Sequence, residues 1–151
     1  MQALSRRQIL ALGGMGALTG GLGSPVAAGA ATPGEQENAR LVTAFCAAWA
    51  ARDLGTLVPY LADTITYRIT ETTAPIVGRA AFETRIGSIL ARLTRIEFAV
   101  VETWAKGPIV MNERHDVLVS PQRTQRFHAV GMFFLVDRKI VEWTDYIITE
   151  G

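Results

Sequence analysis

The residues of this chain best suited to chemistry fall in two short stretches. In NERHDVL, Asn112 to Leu118, a strand would place Asn112, Arg114 and Asp116 on one face with Val110 and Leu118, and Glu113, His115 and Val117 on the other. In VEWTDYI, Val141 to Ile147, the same alternation groups Asp145 with Val141, Trp143 and Ile147. Both carboxylates therefore sit in apolar frames. Arg114 lies two positions from Asp116, about 6–7 Å along a strand, so its guanidinium can sit beside that carboxylate while reaching a neighbouring strand.

Two buried carboxylates sharing one guanidinium should not titrate alike, because burial raises a carboxyl pKa and a nearby cation lowers it. One would stay protonated and donate while the other stays ionised and accepts. That pairing suits a reaction in which a water is deprotonated as a leaving oxygen is protonated. The same spacing also suits an ion-pair network on an outer sheet face, which perturbs pKa values without catalysis. Alternation alone does not say which face is buried.

The elements that must position these groups are legible as periods. Pro33, Glu35 and Glu37 suit a helix start, and Leu41, Phe45, Ala48 and Trp49 make an apolar stripe, which predicts a first helix. A short second helix is expected over 54–61, with Leu54, Leu57, Val58 and Leu61 inward. ITYRITE, 65–71, alternates with Ile65, Tyr67 and Ile69 on one face and predicts the first strand. TTAPIVG reads as a loop, and a third helix starts at Arg79 with Phe82, Ile86, Ile89, Leu90 and Leu93 inward. Four strand-like runs follow, with turn signals at Lys106-Gly107-Pro108, Ser120-Pro121 and Asp137-Arg138. Three helices followed by a strand-rich meander give the α+β class. A strongly curved, mixed or antiparallel sheet forming a cone, with the helices over its concave face, would turn an inward polar cluster into a pocket.

At 151 residues, 49% hydrophobic and 19% charged, the chain suits a single core-forming domain. Its first thirty residues differ from the rest. They contain no acid, carry Arg6 and Arg7 in SRRQIL, run apolar from Ile9 to Leu22, and end in Ala28-Gly29-Ala30. This is the layout of a twin-arginine-type signal peptide over 1–30, with cleavage expected before Ala31 and one domain over 31–151. It implies a bacterial protein exported to the periplasm or secreted. The apolar run is too short for a good membrane span, so none is expected after cleavage. Cleavage removes two arginines and no acids, taking the net charge from +1 to −1. A nearly neutral domain gives no electrostatic reason to expect nucleic acid as partner. Cys46 is the only cysteine, so no intrachain disulfide can form, and a buried helix residue is the expected role. His115 and His128 have no further ligands at metal spacing.

Glu-Arg-x-Asp-Val-Leu, the closing Trp-x-Asp-Tyr, the Tyr67 strand and the preceding helix together resemble the limonene-1,2-epoxide hydrolase family, across most of residues 36–148. The resemblance implies the curved-sheet cone shared with nuclear transport factor 2 and ketosteroid isomerase. It implies hydrolysis of a small, mostly apolar epoxide to a vicinal diol. Carried over by position, Asp145 would be the base that activates water, Asp116 the acid that protonates the epoxide oxygen, Arg114 the bridge between them, and Tyr67 a holder of the water. No metal or organic cofactor is implied. A homodimer through the outer sheet face is, with Glu113, His115 and Phe127 expected there. Substrate-lining positions are expected at Ile69, Asn112, His128, Met132, Phe134 and Trp143.

One position departs from the family. It usually has an Asn two residues after the Tyr, as a third ligand of the water, and this chain has Ile69. Losing one hydrogen bond to a charged or reacting group is worth about 1.5–3 kcal/mol, a roughly ten- to hundredfold rate effect. By strand face, Asn112 and His128 are the expected substitutes. An isomerase or cyclase of the polyketide-cyclase type, using either aspartate for proton transfer, is a second enzyme reading. A non-catalytic binder of a small hydrophobic ligand is a third.

Overall fold

The computed structural model describes residues 29–148, so the expected export signal lies, apart from its last two residues, outside the described residues. Three helices, α1 (Pro33–Ala48), α2 (Leu54–Leu57) and α3 (Arg79–Leu90), accompany one six-stranded sheet. Its strands are β1 (Leu61–Arg68), β2 (Ile76–Val77), β3 (Arg95–Lys106), β4 (Ile109–Val119), β5 (Thr124–Val136) and β6 (Lys139–Ile148), in the spatial order β2-β1-β6-β5-β4-β3. β1 runs parallel to β6 and all other pairs are antiparallel. No helix among the described residues is long and apolar enough to cross a membrane.

The expected class and order of elements hold, with local corrections. The second helix stops at Leu57, because Pro59 denies the helix a backbone donor. A 3₁₀ turn over Val58–Tyr60 follows, and Leu61 opens β1. The expected loop at 72–78 contains the two-residue β2. The β5–β6 hairpin turns on Asp137 and Arg138, both at positive φ (48° and 62°), the combination whose twist matches a tight hairpin.

Register shifts in β1, β3 and at the β5–β6 pairing bend the sheet, since each extra residue kinks its strand and increases the twist. The concave face then wraps a core in which Phe45 of α1 meets Phe133 and Trp143, and Trp49, just past the end of α1, meets Trp143 and Phe82 of α3. α1 is fixed by a reciprocal capping box. The Thr32 side chain accepts from the Glu35 amide at 3.2 Å, and Glu35 Oε2 accepts from the Thr32 amide at 2.7 Å. Glu35 Oε1 also accepts from the Gly107 amide at 3.0 Å, which ties the start of the helix to the β3–β4 turn.

Candidate active site

Four strand partners define the site. Across the sheet, Tyr67, Trp143, Phe133 and Val110 form one inward row. Asp145, Gly131, Asn112 and Thr103 form the next, and Ile147, Ala129, Arg114 and Val100 the one after. Asp116 stands opposite Phe127 and Phe98 in the following row. Alternation along β4 and β6 thus brings Arg114, Asp116 and Asp145 onto the concave face, with Tyr67 arriving from β1.

There they converge. Arg114 is fully buried, and Asp116 and Asp145 are 5% and 4% exposed. Arg114 Nε donates to both oxygens of Asp116 at 2.9 and 3.1 Å, and Nη2 donates to Asp145 Oδ1 at 2.6 Å. Trp143 Nε1 donates to the same Asp145 oxygen at 2.7 Å, while the Tyr67 hydroxyl donates to Oδ2 at 3.3 Å. The guanidinium also lies 4.7 Å from the Phe98 ring centroid and 5.7 Å from that of Trp143, where the π faces favour its charge. Tyr67 stacks on Trp143 at 4.0 Å, and Trp143 stacks in turn on Phe133, so aromatic contacts fix the ring that presents the hydroxyl.

Burial sets the electrostatics. It pushes the Asp145 carboxyl up to about 6, against the lowering pull of Arg114. It raises Asp116 as well, again opposed by Arg114. Desolvation by itself would lower the Arg114 pKa, yet Asp145 and then Asp116 outweigh it and hold the side chain charged. Burial, reinforced by Asp145, pushes the Tyr67 hydroxyl well above its ordinary value, so it remains a donor. One cation thus faces two carboxyls that compete for it. The arrangement holds a proton on the pair as the pH falls through about 6.

Asp116, Asp145 and Tyr67 open onto a cavity of about 170 Å³ whose walls are otherwise mostly apolar, including Ile69, Ile86, Ile89, Phe98 and Leu118. That volume lies below the usual range for drug-sized ligands and suits a small substrate. Thr70 and Gln125 also line it.

Several expected lining residues lie elsewhere. Met132 and Phe134 are 42% and 39% exposed on the convex face, because Phe133 is the residue paired with Trp143. His128 is also on that face, with Nε2 2.7 Å from Glu113 Oε1 and its ring against His115. Phe127, expected outside, lines the cavity because it pairs with the inward Asp116. Asn112 and Trp143 are inward but fully buried behind the carboxylates, where they support the site without lining the cavity. Neither Asn112 nor His128 therefore stands beside Ile69 to replace the missing water ligand. Among the described residues, no group of three or more His, Cys, Asp or Glu side chains is placed to hold a metal ion.

A model of the SnoaL-like domain matches residues 42–143. The chain belongs to this family. The SnoaL-like domain, with its curved sheet and three helices, has the nuclear transport factor 2-like fold, and several solved structures share it. An epoxide hydrolase of the limonene type from M. tuberculosis is 28% identical with a TM-score of 0.70, over 77% of this chain and 86% of that one. SalBIII, an epoxide hydrolase/cyclase-like enzyme in pyran ring formation in the polyether salinomycin, is 18% identical with a TM-score of 0.68, over 76% and 93%. A proposed polyketide cyclase from Xanthomonas campestris is 21% identical with a TM-score of 0.65, over 75% and 91%. The last two likenesses concern the fold. No curated protein matches the sequence.

Gly131 and the cavity aromatics Trp49 and Phe98 were not legible as site residues. Glycine in a strand signals a close approach, and Gly131 stands beside a guanidinium. The signal was present, but its partner was visible only through the register.

Proposed function

We propose that this SnoaL-like domain opens a small, mostly apolar epoxide by acid–base catalysis, with water as the nucleophile and a vicinal diol as the product. The observation that carries the reading is Arg114 bridging two buried aspartates at the wall of an apolar cavity. Asp145 Oδ1 is occupied by Arg114 and Trp143, which leaves Oδ2, beside the Tyr67 hydroxyl, to accept the proton of a water. Asp116 takes a single Arg114 Nε–H, shared between its two oxygens, so the hydroxyl hydrogen of a protonated Asp116 is left to donate to the epoxide. In the step, the water oxygen bonds to an epoxide carbon and that carbon's bond to the ring oxygen breaks. The water proton passes to Asp145 and the Asp116 proton to the departing alkoxide. Proton return from Asp145 to Asp116 through solvent restores the pair.

The test is turnover of a panel of cyclic and terpene epoxides in oxygen-18 water, beside Asp145→Ala and Asp116→Asn. Labelled diol from the parent and none from either variant supports the assignment, whereas no diol from the parent on any epoxide sinks it.

Ile69 favours a second reading on the same groups. Where a third water ligand is absent, the substrate's own hydroxyl is the better nucleophile, since its carbon chain packs on the apolar wall. Asp145 would take that hydroxyl's proton and the product would be a cyclic ether, an isomer of the substrate carrying no solvent label. Two accompanying proposals concern the rest of the chain. Residues 1–30 direct export, checked by the N-terminal sequence of the mature protein. A second copy covers the convex face, where Trp104, Ile109, Met132, Phe134 and Tyr146 are exposed. Sedimentation of the parent against Phe134→Glu checks that.

A further inference from the structure

β4 and β6 are not neighbours: β5 runs between them. Arg114 starts on β4 and its guanidinium reaches Asp145 on β6, a span of two strand spacings, about 10 Å. A side chain can lie across an intervening strand only where that strand presents almost nothing. The inward residues of β5 beside this path are Ala129 and Gly131, register partners of Arg114 and of Asn112 and Asp145. A Cβ at Gly131 would stand 2.3 Å from Arg114 Nη1, 2.7 Å from Phe133 Cε2 and 2.8 Å from Asn112 Oδ1. No real Cβ makes such contacts, so the guanidinium occupies the volume that any other residue's Cβ would fill.

The remaining guanidinium nitrogen is held from the same row. Asn112, fully buried, accepts from Arg114 Nη1 through Oδ1 at 3.3 Å and donates through Nδ2 to Cys46 Sγ of α1 at 3.2 Å. Burial pushes the Cys46 thiol up to about 11, so the sulfur stays neutral and its bond orients the amide with Oδ1 toward the arginine.

We infer that Gly131 and Asn112 are positioning residues for Arg114: Gly131 keeps β5 bare so that the guanidinium can cross it, and Asn112 anchors the nitrogen that neither carboxylate takes. Neither residue lines the cavity, so they act on the orientation of the bridge and not on substrate contact. The inference rests on the acid–base reading for its catalytic consequence, but its structural content is measurable without substrate.

The experiment is a double-mutant cycle on the full chain. Gly131→Ala and Asn112→Ala are each made with Arg114 and with Arg114→Lys, whose shorter, unbranched head has no Nη1 to collide or to anchor. Two readouts are taken: the midpoint of the Asp145 carboxyl by carbon-13 NMR titration, and kcat and KM on any epoxide turned over. In the Arg114 background, Gly131→Ala is expected to raise the Asp145 midpoint above its parent value and to lower kcat about a hundredfold with KM nearly unchanged, as for a misplaced catalytic group. Asn112→Ala should shift both in the same direction by less. In the Lys background the Asn112→Ala effect should largely disappear, and the Gly131→Ala effect should shrink to the part set by its contacts with Phe133 and Asn112, because positions that act through one shared group are not additive. Equal shifts in both backgrounds would place the effect on the sheet itself and overturn the inference. If Gly131→Ala does not fold, the Asn112 arm decides alone by the same criterion. If no epoxide is turned over, the acid–base reading fails while the titration still answers the positioning question.

Discussion

β4 carries two ion-pair clusters back to back, one on each face of the sheet. Inward, Arg114 holds Asp116 and Asp145 at 2.9 and 2.6 Å; outward, His128 holds Glu113 at 2.7 Å with His115 stacked beside it. By distance the two are equivalent. They differ in surroundings: the inner side chains are at most 6% exposed, whereas His128 and Glu113 are 25% and 33% exposed. Water screens the outer pair, whereas the inner carboxyls are largely desolvated, which raises both against the lowering pull of Arg114. Contact geometry alone is therefore a poor guide to chemistry, and desolvation separates a site from a surface pair.

The sharpest way to test this contrast is to remove the central side chain of each cluster. Arg114→Leu strands two buried carboxyls and should cost about 3–5 kcal/mol of unfolding free energy at neutral pH, with loss of activity. His128→Ala should cost less than about 1 kcal/mol. Paired urea titrations at pH 7 read both, and similar losses would erase the distinction.

Removing a carboxylate should have the opposite sign. With both aspartates ionised the inner cluster carries a net charge of −1, and Asp145→Asn leaves a neutral pair. The folded-state pKa of Asp145 is raised, so its favourable contribution is present below the ordinary carboxyl value and is lost as the pH rises through about 6. The Asn variant is thus expected to be inactive yet more stable than the parent above pH 6, by on the order of 2–3 kcal/mol, with the gain fading toward pH 4. Thermal melts at pH 4 and 7.5 check the sign. For the parent, kcat should rise with pH through about 6 as Asp145 ionises and fall again once Asp116 loses the proton that it donates.

Ile69→Asn places a polar side chain at the cavity wall and sharpens the question of the nucleophile. Diol formation should rise about tenfold if water attacks. Under the cyclising reading, the variant instead diverts ether product to diol. The smallest effect is expected on the convex face, where Glu113→Gln should leave kcat unchanged and shift stability by under about 0.5 kcal/mol.

The inner cluster was half legible: alternation in NERHDVL and VEWTDYI groups Arg114 with Asp116 and Asp145 with Trp143, but the opposite face of NERHDVL also frames a carboxylate, Glu113, with Met111 and Val117, so the inward side rested on the resemblance. β5 offers no such contrast. In GMFFLV both parities are apolar, so Met132 and Phe134 looked as suitable for the inner face as Phe133, and only pairing with Trp143 decides. Parity also fails at bulges. Val141 is the residue skipped between the Phe134–Glu142 and Leu135–Ile140 pairs, so Ile140 rather than Val141 is the buried neighbour of Trp143. The helices, set by a 3.6-residue stripe and a capping box, needed no such long-range information.

β6 lies between β1 and β5 in space but is the last of the six strands along the chain. Tyr67 and Asp145 are 78 positions apart, so their meeting is among the most non-local contacts of the domain. Such contacts form late, after the entropy of closing the intervening loop has been overcome. Until β6 inserts, β1 presents an unpaired edge and Arg114 holds only one of its carboxylates. For a chain emerging from the ribosome, joining β1 to the sheet and bringing Asp145 to Arg114 both wait on this last strand.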